Sequence, residues 1–136
     1  MSVRIFKAIN EQYHMGKLFG REDLKGIERL SFLEREHIQG KSFHIAAHII
    51  NDNYIHREDW HYAQLHKHEF DEINILISTN SCLKYRMEFD RKLEEVSSPS
   101  LIYIPAGIEH RAEPVYGTGI FICIYLDQLA KKKNRL

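Results

Sequence analysis

Short apolar runs follow one another at close spacing, separated by polar turns, and that rhythm leaves little room for long helices. Between Lys41 and Ile50, the residues Phe43, Ile45, Ala47 and Ile49 share one parity, which in a strand puts them on one face. Asn51-Asp52-Asn53 then supplies turn chemistry. The same reading predicts strands over Leu65–Ser78, Leu83–Phe89, Leu93–Val96, Leu101–Ile104 and Ile120–Leu126. Their turns are Thr79-Asn80-Ser81, Asp90-Arg91-Lys92, Ser97-Ser98-Pro99 and Gly117–Gly119. Ile27–Glu34 fits helix or strand equally. Ile5, Ile9 and Tyr13 have helical spacing but are followed by Gly16 and Gly20, so residues 1–26 read as a short helix or an arm. The whole pattern predicts an all-β sandwich or barrel.

With 136 residues the chain makes one domain, large enough to bury a core without disulfides or a structural metal. Nineteen basic side chains balance nineteen acidic ones, so no long-range field draws the molecule to nucleic acid or to an anionic membrane. No helix-turn-helix pattern or basic stripe offers a DNA-reading element. The one basic run, Lys131-Lys132-Lys133-Asn134-Arg135, reads as a solvated tail over 128–136. No apolar run reaches membrane-spanning length, and residues 1–8 lack the features of a secretory signal. Cys82 and Cys123 stand far apart, as expected of reduced thiols in a cytoplasmic protein.

Two clusters carry chemistry. His66, His68 and Glu72 share parity, so a strand through 66–77 would point all three into one space. His110 follows the Pro105-Ala106-Gly107 turn, which could return it to that space from another strand. Three imidazoles and a carboxylate suit a divalent first-row metal with coordination positions left open. Fe, Mn, Ni, Co and Zn all accept such a set. Glu69 and Asp71 lie beside Glu72 but have the opposite parity, so a regular strand turns them away.

His-x-His-x3-Glu at 66–72, followed by Pro-x-Gly-x2-His at 105–110, resembles the paired signature motifs of the cupin superfamily. The likeness runs over roughly residues 40–127, and Leu101–His110 resembles the second motif as a whole. Trp60, Thr79 and Pro99 stand where that pattern has glycine, and Pro114 where it has asparagine. These departures touch turns and leave the four ligands in place. The resemblance implies a small antiparallel jelly-roll barrel over 27–127 with the metal near its open end. It favours a strand at 27–34 with a turn at Gln39-Gly40-Lys41, selects Glu72 as the carboxylate ligand, and implies a homodimer. The apolar face at 43–49 would suit that contact.

Other residues have two readings each. His44 and His48 either line the pocket and orient a ligand or are satisfied core or interface histidines. Asn74 has the ligand parity and either faces the cavity or is a satisfied polar group of the barrel. One of Tyr85, Tyr103 and Tyr125 is expected in the cavity. Arg86 either clamps a substrate anion or belongs to a solvated face with Lys84 and Glu88. The loop around Trp60, with His56 and His61, either closes over the mouth as a lid or is an ordered surface loop. Cys123 either faces the pocket as a reactive thiol or packs as a small hydrophobe.

The expected function is that of a metal-dependent enzyme acting on an anionic or carbonyl-bearing, oxygen-rich small molecule. Fe(II) dioxygenation comes first and a metal-assisted isomerase or lyase step second. The alternative is a non-catalytic binding or sensor barrel. Proteins similar in motif include both kinds, and fold alone does not choose.

Overall fold

The computed structural model describes residues 3–11, 24–34, 43–79 and 82–126. Among these residues nine antiparallel strands run in chain order: β1 (Ile9–Asn10), β2 (Ile27–Glu34), β3 (Phe43–Ile50), β4 (Asp71–Ile77), β5 (Lys84–Phe89), β6 (Lys92–Ser97), β7 (Ser100–Ile104), β8 (His110–Tyr116) and β9 (Gly119–Leu126). There is no helix among the described residues, and hence none able to cross a membrane as a helix. The strands form a six-stranded sheet in the order β1-β2-β3-β9-β4-β7 and a three-stranded sheet in the order β6-β5-β8. The class is the expected all-β one. The barrel is open rather than closed: among the described residues no ladder joins the two sheets around the circumference, which leaves a mouth between them.

Cross-strand register makes the inner face of the large sheet a grid. Glu72 pairs with Tyr125, and Tyr125 with His44, so these three form one row across β4, β9 and β3. Asn74, Cys123 and Ala46 form the next row, and Leu76, Phe121 and His48 the third. Arg29 on β2 extends the third row beside His48. Directly opposed residues of an antiparallel pair share a face, so all of these look inward. Against them the small sheet sets Tyr85 and Met87, both fully buried. Tyr85 stacks on Phe121 with ring centroids 4.6 Å apart. The opposite parity of the large sheet is rich in isoleucine, with Ile45, Ile49, Ile73, Ile75, Ile120, Ile122 and Ile124 beside Phe43, Ala47, Asp71, Leu101, Tyr103 and Leu126.

Several elements differ from the sequence reading. The strand expected over Leu65–Ser78 is regular only from Asp71 to Ile77. Before it the chain is irregular and touches β8 by a single bridge, His66 to His110. β8 was not anticipated, because Pro114 and alternating charges obscure its period. The spacing of Ile5 and Ile9 is not helical in origin: Ile9 pairs with Ser31 and Asn10 with Leu30 as an edge strand. Ile27–Glu34 is a strand, as the resemblance implied. Tyr13, Gly16, Gly20, the Gln39-Gly40-Lys41 turn, the Asn80-Ser81 step and the 128–136 tail lie outside the described residues.

Candidate metal centre

His66, His68, Glu72 and His110 converge, each offering one ligand atom, with all four atoms within 4.8 Å of one another. His110 reaches the group through a clamped turn. His66 and His110 exchange backbone hydrogen bonds of 3.0 and 2.8 Å, and the Gly107 N–H donates to the His68 carbonyl at 2.8 Å. Gly107 has φ +87°, a left-handed conformation that glycine adopts without steric cost. From the outward parity, Asp71 steadies the same turn: its carboxylate accepts from the Ala106 N–H at 2.9 Å and from the Tyr103 hydroxyl. The acidic neighbour excluded as a ligand by parity thus holds the turn that carries one.

The ring tautomers are set by the backbone. His66 Nδ1 lies 2.8 Å from the Gln64 carbonyl and His110 Nδ1 2.8 Å from the Ile108 carbonyl. A carbonyl only accepts, so both Nδ1 atoms are protonated, which leaves both Nε2 atoms as the ring positions that a metal could take. Glu72 is divided in the same way. Its Oε2 accepts from Asn74 Nδ2 at 2.8 Å and faces Cys123 Sγ at 3.6 Å. Its Oε1 faces His110 Nε2 at 3.1 Å and His68 Nε2 at 3.4 Å. His68 Nε2 is buried and without a hydrogen-bond partner. A buried, unsatisfied imidazole nitrogen beside a carboxylate oxygen and two further imidazole Nε2 atoms is a donor set that suits a divalent transition metal.

Burial alone would raise the Glu72 carboxyl, but contacts with His110, His68 and Asn74 outweigh it and hold the group well below the usual carboxylate range. For His110, burial acts downward, and Glu72 and the Ile108 carbonyl reverse it to a net rise. His66 moves down, chiefly through burial.

The centre opens into a cavity of about 560 Å³ between the sheets. His44, His48 and Asn74 line it, as do Tyr85 and Tyr125. His44 stacks on Tyr125 at 4.7 Å, and Tyr125 touches His68 at 4.9 Å. Burial first, then Arg29 and His44, press His48 down to about 3. Cys123 faces the cavity, but burial and then Glu72 push its thiol up, away from the reactive thiolate. Burial likewise raises Tyr85 and Tyr125.

Three anticipated residues lie elsewhere. Tyr103 is on the outer parity, half-exposed, with its hydroxyl on Asp71. Arg86 is no substrate clamp in this cavity: its guanidinium donates to the Glu58 and Asp59 carbonyls and lies 3.5 Å from Glu113. Trp60 sits between Arg86 and Arg111, whose guanidinium carbons are 4.4 and 3.9 Å from its ring. Neither lines the cavity. Glu113, which sequence reasoning missed, explains both placements. Its carboxylate is fully buried and accepts the backbone N–H groups of His61, Tyr62 and Ala63 at 2.6–2.9 Å. The 58–63 segment is therefore pinned to β8 as an ordered loop. Arg29 was also missed, although it has the parity of the buried Ile27 and Ser31.

No family model matches the sequence, and no curated protein matches it. Solved structures of like fold do. A cupin 2 domain-containing protein from Halorhodospira halophila is 15% identical over 79% of this chain and 68% of its own, with a TM-score of 0.53. The polyketide cyclase RemF from Streptomyces resistomycificus is 14% identical over 93% of this chain and 80% of its own, at 0.55. Bacillus subtilis oxalate decarboxylase, a protein with Mn(II) centres, is 14% identical over 93% of this chain but 30% of its own, also at 0.55. At such identities the likeness is one of fold, and the fold is that of the cupin-type structures.

Proposed function

We propose that this protein is a metal-dependent enzyme acting on an oxygen-rich small molecule, with Fe(II)-dependent dioxygenation as the leading chemistry and a metal-assisted isomerase or lyase step next. The observation that carries the reading is the junction of the four-donor centre with a cavity of about 560 Å³. That volume suits a small substrate. A dication held by His66, His68, Glu72 and His110 would supply Lewis acidity, and dioxygen binding if it is iron. The chain's own residues orient and exclude. Asn74 and Cys123 fix the Glu72 carboxylate, the Gln64 and Ile108 carbonyls fix two imidazoles, and Tyr85, Phe121 and Tyr125 keep the cavity apolar. The oxalate decarboxylase of like fold, with its Mn(II) centres, is consistent with metal chemistry on this scaffold.

A second reading, a metal-bound ligand-binding protein without turnover, is favoured by one observation. His48, Cys123 and Tyr125 are each pushed away from neutrality, which leaves none of them poised as a general acid or base. We further propose a homodimer that buries the outer isoleucine face. A cytoplasmic setting suits the two free thiols.

Elemental analysis of purified protein, followed by oxygen uptake with Fe(II)-loaded protein and a panel of chelating acids and dicarbonyls, tests the assignment. A metal equivalent with oxygen consumption supports the enzyme. Tight binding without turnover under Fe(II), Mn(II), Ni(II) or Zn(II) replaces it with the binding protein.

A further inference from the structure

The cavity has a second polar pole, opposite the metal ligands. Arg29 rises from β2 beside His48, and its guanidinium runs along β3 to His44, with Nη2 and His44 Nε2 2.9 Å apart. Arginine only donates, so His44 Nε2 accepts and the guanidinium is steadied by a neutral imidazole. Nη1 holds the Glu11 carboxylate. Both side chains are largely withdrawn from solvent, at 13% and 17% exposure, and both line the cavity. His44 occupies the same cross-strand row as Glu72, two strands away, so their backbones stand about 10 Å apart by ordinary strand spacing. One small molecule can touch both poles.

Two features mark Glu11 as the part that gives way. It follows β1, an edge strand of two residues that pairs only with β2 among the described residues, and its own N–H donates to the Arg29 carbonyl at 2.7 Å. Such a short edge is among the least costly elements to release. The charges point the same way. A dication and Arg29 set against Glu72 and Glu11 leave one positive charge in a largely apolar space, and an anion relieves it.

We infer that Arg29, steadied by His44, is the specificity-determining residue of this cavity. The ligand is a small carboxylate whose far end carries the oxygens that meet the metal, and Glu11 occupies the carboxylate seat until that ligand displaces it. The inference rests on the metal-centre reading and narrows its substrate class. No covalent step is involved; one carboxylate replaces another on the guanidinium.

The test uses the full chain loaded with cobalt(II) and two pyrones with the same chelating hydroxyketone. Kojate carries a hydroxymethyl group at the far end and comenate a carboxylate. Visible titration reads metal contact for each. Wild-type protein should bind comenate about tenfold more tightly than kojate, the scale of one charge-assisted contact. Arg29→Gln should bring comenate to the affinity of kojate. Glu11→Gln, which keeps the arginine and its shape, should tighten comenate by about threefold and leave kojate unchanged. Equal affinities in the wild type, a preference that survives Arg29→Gln, or a Glu11→Gln variant that binds comenate as the wild type does would each overturn the inference. If Arg29→Gln fails to fold, the Glu11→Gln comparison decides alone. A cobalt spectrum indifferent to both pyrones would instead overturn the metal-centre reading beneath it.

Discussion

The carboxylate of Glu72 is shared between two duties, and side chains behind it decide which oxygen does which. Asn74→Ala frees Oε2 and should weaken metal binding by about 10–100-fold while leaving the fold intact, as measured by competition with a chromophoric chelator. His66→Ala and His110→Ala should each strip most of the metal from a folded protein; a full equivalent retained at unchanged affinity would remove that residue from the ligand set. His48 makes a different prediction. Its ordinary value of 6.5 falls to about 3 in the folded chain, so between those values the unfolded chain binds a proton that the folded chain refuses. Stability of the metal-free protein should therefore fall as pH drops from 6.5 toward 3, with His48 contributing a slope of up to about 1.4 kcal/mol per pH unit. Urea midpoints at several pH values, compared with those of His48→Gln, isolate that contribution; parallel curves would refute it. The convergence of His66, His68, Glu72 and His110 was legible in the sequence because their spacing carries it even where the backbone is irregular. Which of the two readings holds for Arg86, Trp60 and Tyr103 was not legible, because their positions depend on Glu113 and Asp71, long-range partners that no local pattern reveals.

At the scale of elements, the strands with a clean period of two were legible and the others were not. β3, β5, β6, β7 and β9 lie close to where the sequence reading puts them. β8 carries Arg111 and Glu113 on one face and Pro114 in its middle, a composition that reads as loop. The buried Glu113 carboxylate, on the face of β8 turned away from Tyr85 and Met87, nevertheless holds the loop that precedes His66 and His68. Glu113→Ala leaves the N–H groups of His61, Tyr62 and Ala63 without their acceptor and Arg86 without its counter-charge. The variant should lose about 3–5 kcal/mol in urea unfolding, the cost of breaking a buried charged pair. Trp60 is the one tryptophan in the chain, so its emission should shift to the red as the loop leaves Arg86 and Arg111. An unshifted spectrum with unchanged stability would show that the carboxylate does not anchor the loop.

For the whole molecule, the outer face of the large sheet is the feature without a described counterpart. Ile75 and Ile122 lie side by side near its centre. Apolar faces of this kind are ordinarily buried against another surface. Light scattering at high micromolar concentration should give a dimer, and Ile122→Lys should convert it to a monomer with the metal site unchanged. A wild-type monomer would leave the face to another partner. The two sheets meet at the metal centre in an instructive way: His66, His68 and Glu72 precede or belong to β4 of the large sheet, whereas His110 begins β8 of the small one. A metal bound there is a clasp on an open shell. Filling it should raise the melting temperature in proportion to the logarithm of metal concentration above the dissociation constant. Emptying it should loosen the mouth while the far end, packed by Leu76, Leu83 and Phe121, stays shut. Metal supply would then set how widely the mouth opens, which makes the rate of small-molecule entry a property of metal occupancy.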